Sequence, residues 1–185
     1  SASDGWLFWV DDSSDASTTD TVSFAVEISQ ANNRISGTSG IVVPNQWGHY
    51  CGVFQGSQFI KLYHNGQLNQ EVIPSASSVD TTSEDLWMGA LNNLTRYFPG
   101  QLDDLGIWSR ALTPEEIASL ASTHPSGIHT SPVIDFGTTP NSLDSLTFDA
   151  QGISTGDGET PYSTDGLVAQ WNFNETSGNT AYNTA

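Results

Sequence analysis

This chain of 185 residues is poor in cysteine, in basic residues and in long apolar runs. Cys51 is its only cysteine, so no disulfide can form within the chain. Four lysines and arginines stand against 21 aspartates and glutamates, and the formal net charge of −17 argues against binding to nucleic acid or to anionic membrane surfaces. Since no run of about 18 apolar residues occurs, we expect no membrane-spanning helix.

Charged residues of both signs make up only 14% of the chain, against a usual share of about a quarter. Polarity comes instead from Ser, Thr, Asn, Gln and Gly. With 17 glycines and eight prolines, this mixture favours many strands joined by turns. The acidic excess has two readings, cation binding and solubility in a salty extracellular medium.

Two segments carry strong local signals for antiparallel strands. Residues 21–29 alternate between apolar and mostly polar positions, which predicts a half-buried strand. Residues 59–73 contain Asn65-Gly66, the preferred pair for a type I′ turn, so they predict a hairpin. Residues 35–43, around Gly37 and Gly40, predict another pair of short strands.

Residues 97–121 are the most informative stretch. A β-strand punctuated by Asp103 and Asp104 is expected to follow the turn at Pro99-Gly100. A short helix comes next, because its start has the residues of a capping box with proline at the first helical position: Thr113, Pro114 and Glu116.

This stretch resembles the closing strand and helix of laminin-G-like, concanavalin A-like domains of large secreted or surface proteins of bacteria and archaea. The likeness extends to two further strands of the family, at Trp47–Phe54 and Asp85–Ala90, and in total to most of residues 5–121. It implies an all-β fold, an antiparallel β-sandwich (concanavalin A-like jelly roll) with one short helix. That fold hosts lectins, adhesins and enzymes alike, so it does not fix a function.

The two ends depart from the usual order of such a domain. Residues 1–123 resemble a sandwich that lacks its usual opening strands, 124–165 is expected to be a linker with short strands, and 166–185 resembles an opening strand. That last strand could open the next repeat of an array, close its own sandwich or be donated to a neighbouring copy. Asn183 stands where the family often has aspartate.

Asp103 and Asp104 are the candidate metal ligands. Ca²⁺ takes several oxygen ligands, and carboxylates at the end of a loop can supply them together with backbone carbonyls. Related domains often bind Ca²⁺ at a sheet rim, so the resemblance implies Ca²⁺ as the cofactor. The alternative is that the two carboxylates cap turns and pair with Arg96 or Arg110.

Aromatic side chains are the candidate ligand contacts. The chain has six tryptophans, but each lies in a strand-like run where packing in the core is the commoner use. Tyr97 and Phe98, beside a loop, are therefore the candidate ligand-binding residues.

Catalysis has little support, and we expect no enzyme. Enzymes of this fold usually carry a strand of the form E-x-D-x-x-E, which is absent here, and the four histidines show no paired metal spacing. We expect Cys51 to be a buried inert thiol and His49 to be structural. Asn93 and Asn174 match the acceptor pattern for N-glycosylation.

These observations predict a non-catalytic binding or adhesion module of a larger extracellular or cell-surface protein. Its expected partners are glycans or surface proteins, with neighbouring copies of the same domain as a further partner. The alternatives are a structural subunit of an extracellular filament or array assembled through the C-terminal strand, and an accessory module of a secreted glycoside hydrolase.

Overall fold

A computed structural model describes residues 5–11, 20–28, 31–79, 85–90, 97–122, 164–173, 175 and 180–185. Almost all of the predicted linker at 124–165 lies outside these ranges. The described part is an antiparallel β fold with one short helix, as the sequence predicts. That helix has eight residues, so no helix in the described ranges is long enough to cross a membrane.

Two three-stranded antiparallel sheets form the body of the molecule. The first sheet has the order β1-β2-β3, made of β1 (Gly5–Asp11), β2 (Thr21–Ile28) and β3 (Ala31–Ser36). The second has the order β4-β5-β6, made of β4 (Tyr50–Gln55), β5 (Phe59–His64) and β6 (Gln67–Val72). A two-stranded ladder of β7 (Leu105–Trp108) and β8 (Leu167–Trp171) completes the strands, and α1 (Pro114–Ala121) lies between these two in sequence.

The two larger sheets pack face to face over a buried apolar cluster, the central core. Its members come from both sheets and from the loop after β3: Val22, Phe24, Val26, Ile35, Ile41, Ile60 and Leu62. The alternation in β2 therefore correctly identifies the face that meets the core.

The expectation that β2 is half-buried is wrong, because Ser23 and Ala25 on its other face are also fully buried. Trp9 of β1 lies directly opposite Ser23, and Arg34 of β3 lies opposite Ala25. The Arg34 guanidinium stacks 4.8 Å from the centroid of the Trp9 ring and also bonds Asp11, at 2.6 Å. These long side chains from the flanking strands cover the central strand.

A second apolar cluster, the helix-side core, lies on the opposite face of the second sheet. It joins Val53 and Tyr63 of that sheet to Leu112 and Ile117, with Trp108 packed against it. Strand β5 is thus buried on both faces. The predicted hairpin is confirmed, with φ of 48° at Asn65 and 78° at Gly66, the two positive values that a type I′ turn requires.

The predicted capping box of α1 is also confirmed. The Glu116 N–H donates to Oγ1 of Thr113 at 3.3 Å, and the Thr113 N–H donates to Oε2 of Glu116 at 2.8 Å. Close packing then brings the helix onto the hairpin: a Cβ on Gly66 would lie 3.0 Å from Cα of Ala118.

Three strand expectations differ from the structure. Residues 35–43 do not form two strands; β3 ends at Ser36, and Gly40 turns the chain with φ of 81° so that Ile41 can enter the central core. The segment at 85–90 forms only one isolated bridge, Ala90 to Tyr97. Asp103 and Asp104 precede β7, and Asp104 has φ of 49°, outside the extended region that a strand needs.

Candidate functional site

Tyr97 and Phe98 lie at the surface, as expected for ligand contacts. Tyr97 is 66% exposed and Phe98 is 37% exposed. The Phe98 N–H donates to the Gly89 carbonyl at 2.9 Å, next to the Ala90–Tyr97 bridge. Two short segments, 85–90 and 97–102, are therefore held side by side by their backbones.

Further apolar side chains are exposed on these two segments. Trp87 and Leu86 are each 45% exposed, and Leu102, whose Cδ1 would lie 3.8 Å from a Cβ on Gly89, is 41% exposed. We call the set the aromatic rim: Leu86, Trp87, Tyr97, Phe98 and Leu102. Sequence reasoning missed Trp87 here, because its apolar neighbours are those of a buried strand.

Asp103 and Asp104 directly follow the aromatic rim in sequence. Asp103 is exposed, and its Oδ1 accepts a hydrogen bond from the Asp104 N–H at 3.1 Å. Asp104 itself has a left-handed backbone, with φ of 49°. Since Asp104 is left-handed, the alternation of a strand does not decide where the two carboxylates point.

The fit of this pair to Ca²⁺ is limited by the number of side chains. Within the described ranges, no three of His, Cys, Asp and Glu gather in one place. Ca²⁺ takes six to eight oxygens, so the two carboxylates would need backbone carbonyls and water to complete a site. Asp103 keeps lone pairs beyond the one that Asp104 uses, so the pair remains chemically able to contribute.

The alternative partner Arg110 binds Glu116 and Asp165. Its Nη1 donates to Oε2 of Glu116 at 2.8 Å and its Nη2 donates to Oε1 at 2.7 Å. Its Nε donates to the Asp165 carbonyl at 2.8 Å and lies 3.1 Å from the Asp165 carboxylate. These bonds raise the pKa of Arg110, the hydrogen bond to Glu116 most of all. Arg96 lies outside the described residues.

The expectation that the tryptophans pack in the core is only partly right. Trp108 packs against the helix-side core and Trp9 lies beneath Arg34. Trp47 is 67% exposed in the loop before β4, and Trp6 is 43% exposed on β1. An apolar run does not reveal whether a facing element covers it, so the sequence could not separate these cases.

His49 lies at the base of the hairpin turn. Its N–H donates to Oδ1 of Asn65 at 2.9 Å, and its carbonyl accepts from the Asn65 N–H at 2.8 Å. Nδ1 of His49 is buried without a hydrogen-bond partner among the described residues. Burial, and then the nearby His64, lower the pKa of His49, so the ring is held neutral.

Cys51 packs against the helix-side core, and burial raises the pKa of its thiol to about 12. That environment opposes a thiolate, so Cys51 is unsuited to nucleophilic chemistry. The candidate glycosylation residues Asn93 and Asn174 lie outside the described ranges, so both remain predictions. Asn183 has a structural role: its Oδ1 accepts from the N–H groups of Gln170, at 3.0 Å, and Ala185, at 3.1 Å.

Comparison with known proteins gives one family. The family model described as the concanavalin A-like lectin/glucanases superfamily matches residues 1–118. No curated protein matches.

Among solved structures, the chain is similar to part of an S-layer domain-containing protein from Clostridium thermocellum ATCC 27405. The identity is 23% and the TM-score 0.37, over 55% of this chain and 52% of that one. The chain therefore spans about half the length of the solved chain that it matches.

Proposed function

Because the chain belongs to the concanavalin A-like lectin/glucanases superfamily, we propose that it is a non-catalytic binding module of a larger extracellular or cell-surface protein. The ligands proposed are glycans or surface proteins, and the site is the aromatic rim. The observation that carries this proposal is the joint exposure of Trp87 and Tyr97 on two segments tied together by their backbones.

Aromatic rings suit this task because each presents a large apolar face with a polar edge. The apolar faces of sugar rings, or the side chains of a surface protein, would gain contact area without requiring a deep cleft. Exposed aromatic side chains are enriched at such interfaces, where they contribute much of the binding energy.

The charge of the chain supports the choice of partner. At −17 it repels nucleic acid and anionic membranes, and it leaves neutral glycans and less acidic proteins as compatible ligands. The same surplus of carboxylates, with a single cysteine, suits a protein that works in an extracellular medium.

A Ca²⁺ ion held by Asp103 and Asp104 is part of the proposal. The pair lies next to the aromatic rim in sequence, so an ion there would stiffen the loop that carries Tyr97 and Phe98. Carboxylates and carbonyls supply the hard oxygen ligands that Ca²⁺ prefers.

A glycan array probed with the full chain tests this function. Tyr97→Ala and Trp87→Ala should each weaken binding at least tenfold. The reason is that truncating a hot-spot aromatic side chain costs about 2 kcal/mol of binding free energy or more. Trp47→Ala is the control, since Trp47 is as exposed as Tyr97 but lies outside the aromatic rim. Equal losses of affinity in all three variants would show that the aromatic rim is not the specific binding site.

A repeat of the array with EDTA separates the metal from the ligand site. Loss of glycan binding in EDTA and in Asp103→Asn would support Ca²⁺ at this pair. Glycan binding that is unchanged by both would contradict the proposed Ca²⁺ site. An absence of any glycan or surface-protein ligand would contradict the binding function. An accessory module of a glycoside hydrolase would bind its ligand through the same aromatic rim. Selective binding to the polysaccharide that a linked hydrolase cleaves would favour that alternative.

A further inference from the structure

Carboxylates border the aromatic rim on both sides in sequence. Asp85 directly precedes it and Asp103 directly follows it, and both residues are exposed. Residues 80–104, which contain the aromatic rim, hold five acidic residues and a single basic one, Arg96. The segment that carries the aromatic rim is therefore negative overall, so a ligand that binds there gains from a positive charge.

The basic residues in the described ranges bind carboxylates outside the aromatic rim. Arg34, Lys61 and Arg110 each form an ion pair, and their respective partners are Asp11, Glu71 and Glu116. Within the same ranges, neither Asp85 nor Asp103 forms an ion pair. The two exposed carboxylates are thus open to a cation that a ligand brings.

The rings of the aromatic rim suit a cation as well as an apolar surface. Trp87 and Tyr97 are both exposed, and the face of an aromatic ring is the negative part of its quadrupole. A positive group above such a face is attracted to it, and tryptophan attracts it most strongly. The exposed rings and the exposed carboxylates therefore favour the same sign of charge on the ligand.

The exposed area of the aromatic rim suits a small ligand better than a protein. An aromatic side chain offers about 150–250 Å², so the exposed fractions of Trp87, Tyr97 and Phe98 leave roughly 300 Å² of ring surface. A stable protein interface buries about 800 Å² on each partner. An oligosaccharide of a few rings matches the smaller area, and this favours a glycan as the source of the cation.

We propose that the aromatic rim selects glycans that carry free amino groups, an inference that rests on the binding function proposed above. The apolar face of a sugar ring lies against Trp87 or Tyr97, and its ammonium group lies near the carboxylate of Asp85 or Asp103. A cation over an exposed ring and an exposed ion pair each change affinity only about two- to fivefold. Together they give an amino sugar an advantage of about five- to twentyfold over a neutral sugar of the same shape.

Titration calorimetry on the full chain at about pH 6, where an amino sugar is protonated, tests this selection. The two ligands are a trimer of β-1,4-linked glucosamine and the same trimer of glucose, in which hydroxyl groups stand in place of the ammonium groups. We expect the glucosamine trimer to bind about five- to twentyfold more tightly. Equal affinity for the two trimers overturns the selection of amino sugars and leaves the binding function standing.

Attraction of any cation to a chain of net charge −17 is the competing cause, and two variants of equal charge separate it. Asp85→Asn and Glu115→Gln each remove one negative charge, but Glu115 lies on α1, outside the aromatic rim. We expect the ratio of the two affinities to fall about twofold or more in Asp85→Asn and to stay at the wild-type value in Glu115→Gln. Equal falls would assign the preference to net charge and overturn the proposal. Asp85 is substituted because Asp103 also belongs to the proposed Ca²⁺ pair.

Trp87→Leu tests the contribution of the ring. Leucine keeps an apolar side chain but has no ring face, so the ratio of the two affinities should fall about twofold or more. The ratio is informative even if both affinities fall, because the lost apolar contact affects both trimers. A ratio that is unchanged in Trp87→Leu and in Asp85→Asn would overturn the proposal.

A lysine-containing peptide and its acetylated form test a protein as the source of the cation. If neither trimer binds and the lysine peptide binds more tightly than its acetylated form, the cation comes from a protein and the selection of amino sugars is overturned. If no glycan and no protein binds, the binding function itself is contradicted. Failure of the selection and failure of the function therefore give different results.

Discussion

Phe24 lies against Gly52 across the central core. A Cβ on Gly52 would come within 2.7 Å of Cγ of the Phe24 ring, closer than side chains tolerate. The first sheet therefore reaches the second at a position where β4 has no side chain, and the ring fills the space.

Gly52→Ala should destabilise the protein by about 1–3 kcal/mol, because the added methyl overpacks the central core. Urea unfolding measures the change. The double variant with Phe24→Leu should recover part of the loss, since the smaller side chain makes room. If the two single losses simply add in the double variant, the contact between these residues does not limit the packing.

Thr113→Ala should cost about 1 kcal/mol, because it removes the side-chain oxygen that accepts the Glu116 N–H. Thermal or urea unfolding followed by circular dichroism measures it. Glu115→Gln is the control: Glu115 lies in the same first turn but takes no part in the capping box. A loss no larger than that of the control would show that the cap contributes little in this protein.

Cys51 should react slowly with a thiol reagent at pH 8 in the folded protein and quickly in denaturant. Burial raises its pKa to about 12 in the folded state, whereas an unfolded thiol has a pKa of about 8.5. Absorbance of the released reagent measures both rates. A chain carrying Cys51→Ala and Val168→Cys supplies an exposed thiol for comparison, and folded Cys51 reacting as fast as this thiol would contradict the burial.

His49 should make stability depend on pH. Its folded pKa lies below the ordinary value of about 6.5, so the unfolded state takes up the proton first. The free energy of unfolding is therefore unaffected by His49 above about pH 6.5. It decreases as the pH falls below that value toward the folded pKa, because only the unfolded state then binds the proton. Melting temperatures of the wild type and of His49→Gln at pH 7 and pH 5 measure the effect.

Wild type should lose more stability than His49→Gln over that interval. His64 remains in both proteins, so the difference isolates His49. Parallel losses would mean that the His49 ring takes up its proton equally well in the folded chain.

The candidate site was only partly predictable. Tyr97 and Phe98 are exposed as the sequence indicates, since both stand beside a loop. The apolar neighbours of Trp87 predict a strand, and only the structure shows that Trp87 is exposed. The sequence predicts a strand at Asp103 and Asp104, but both precede β7 and Asp104 has a left-handed backbone.

The sequence by itself determined the local features. Asn65-Gly66 forms its turn, and Thr113, Pro114 and Glu116 start the helix, because each signal depends on backbone preferences and hydrogen bonds within a few residues. Family membership follows from the same kind of continuous pattern, matched over residues 1–118.

Tertiary structure alone decided what covers each surface. Ser23 and Ala25 are buried because Trp9 and Arg34 arrive from other strands, while Trp47 stays exposed in a loop. It also brings β8 alongside β7, a pairing between distant parts of the sequence. Burial and long-range pairing depend on which distant element comes to lie nearby, and a linear pattern does not encode that neighbour.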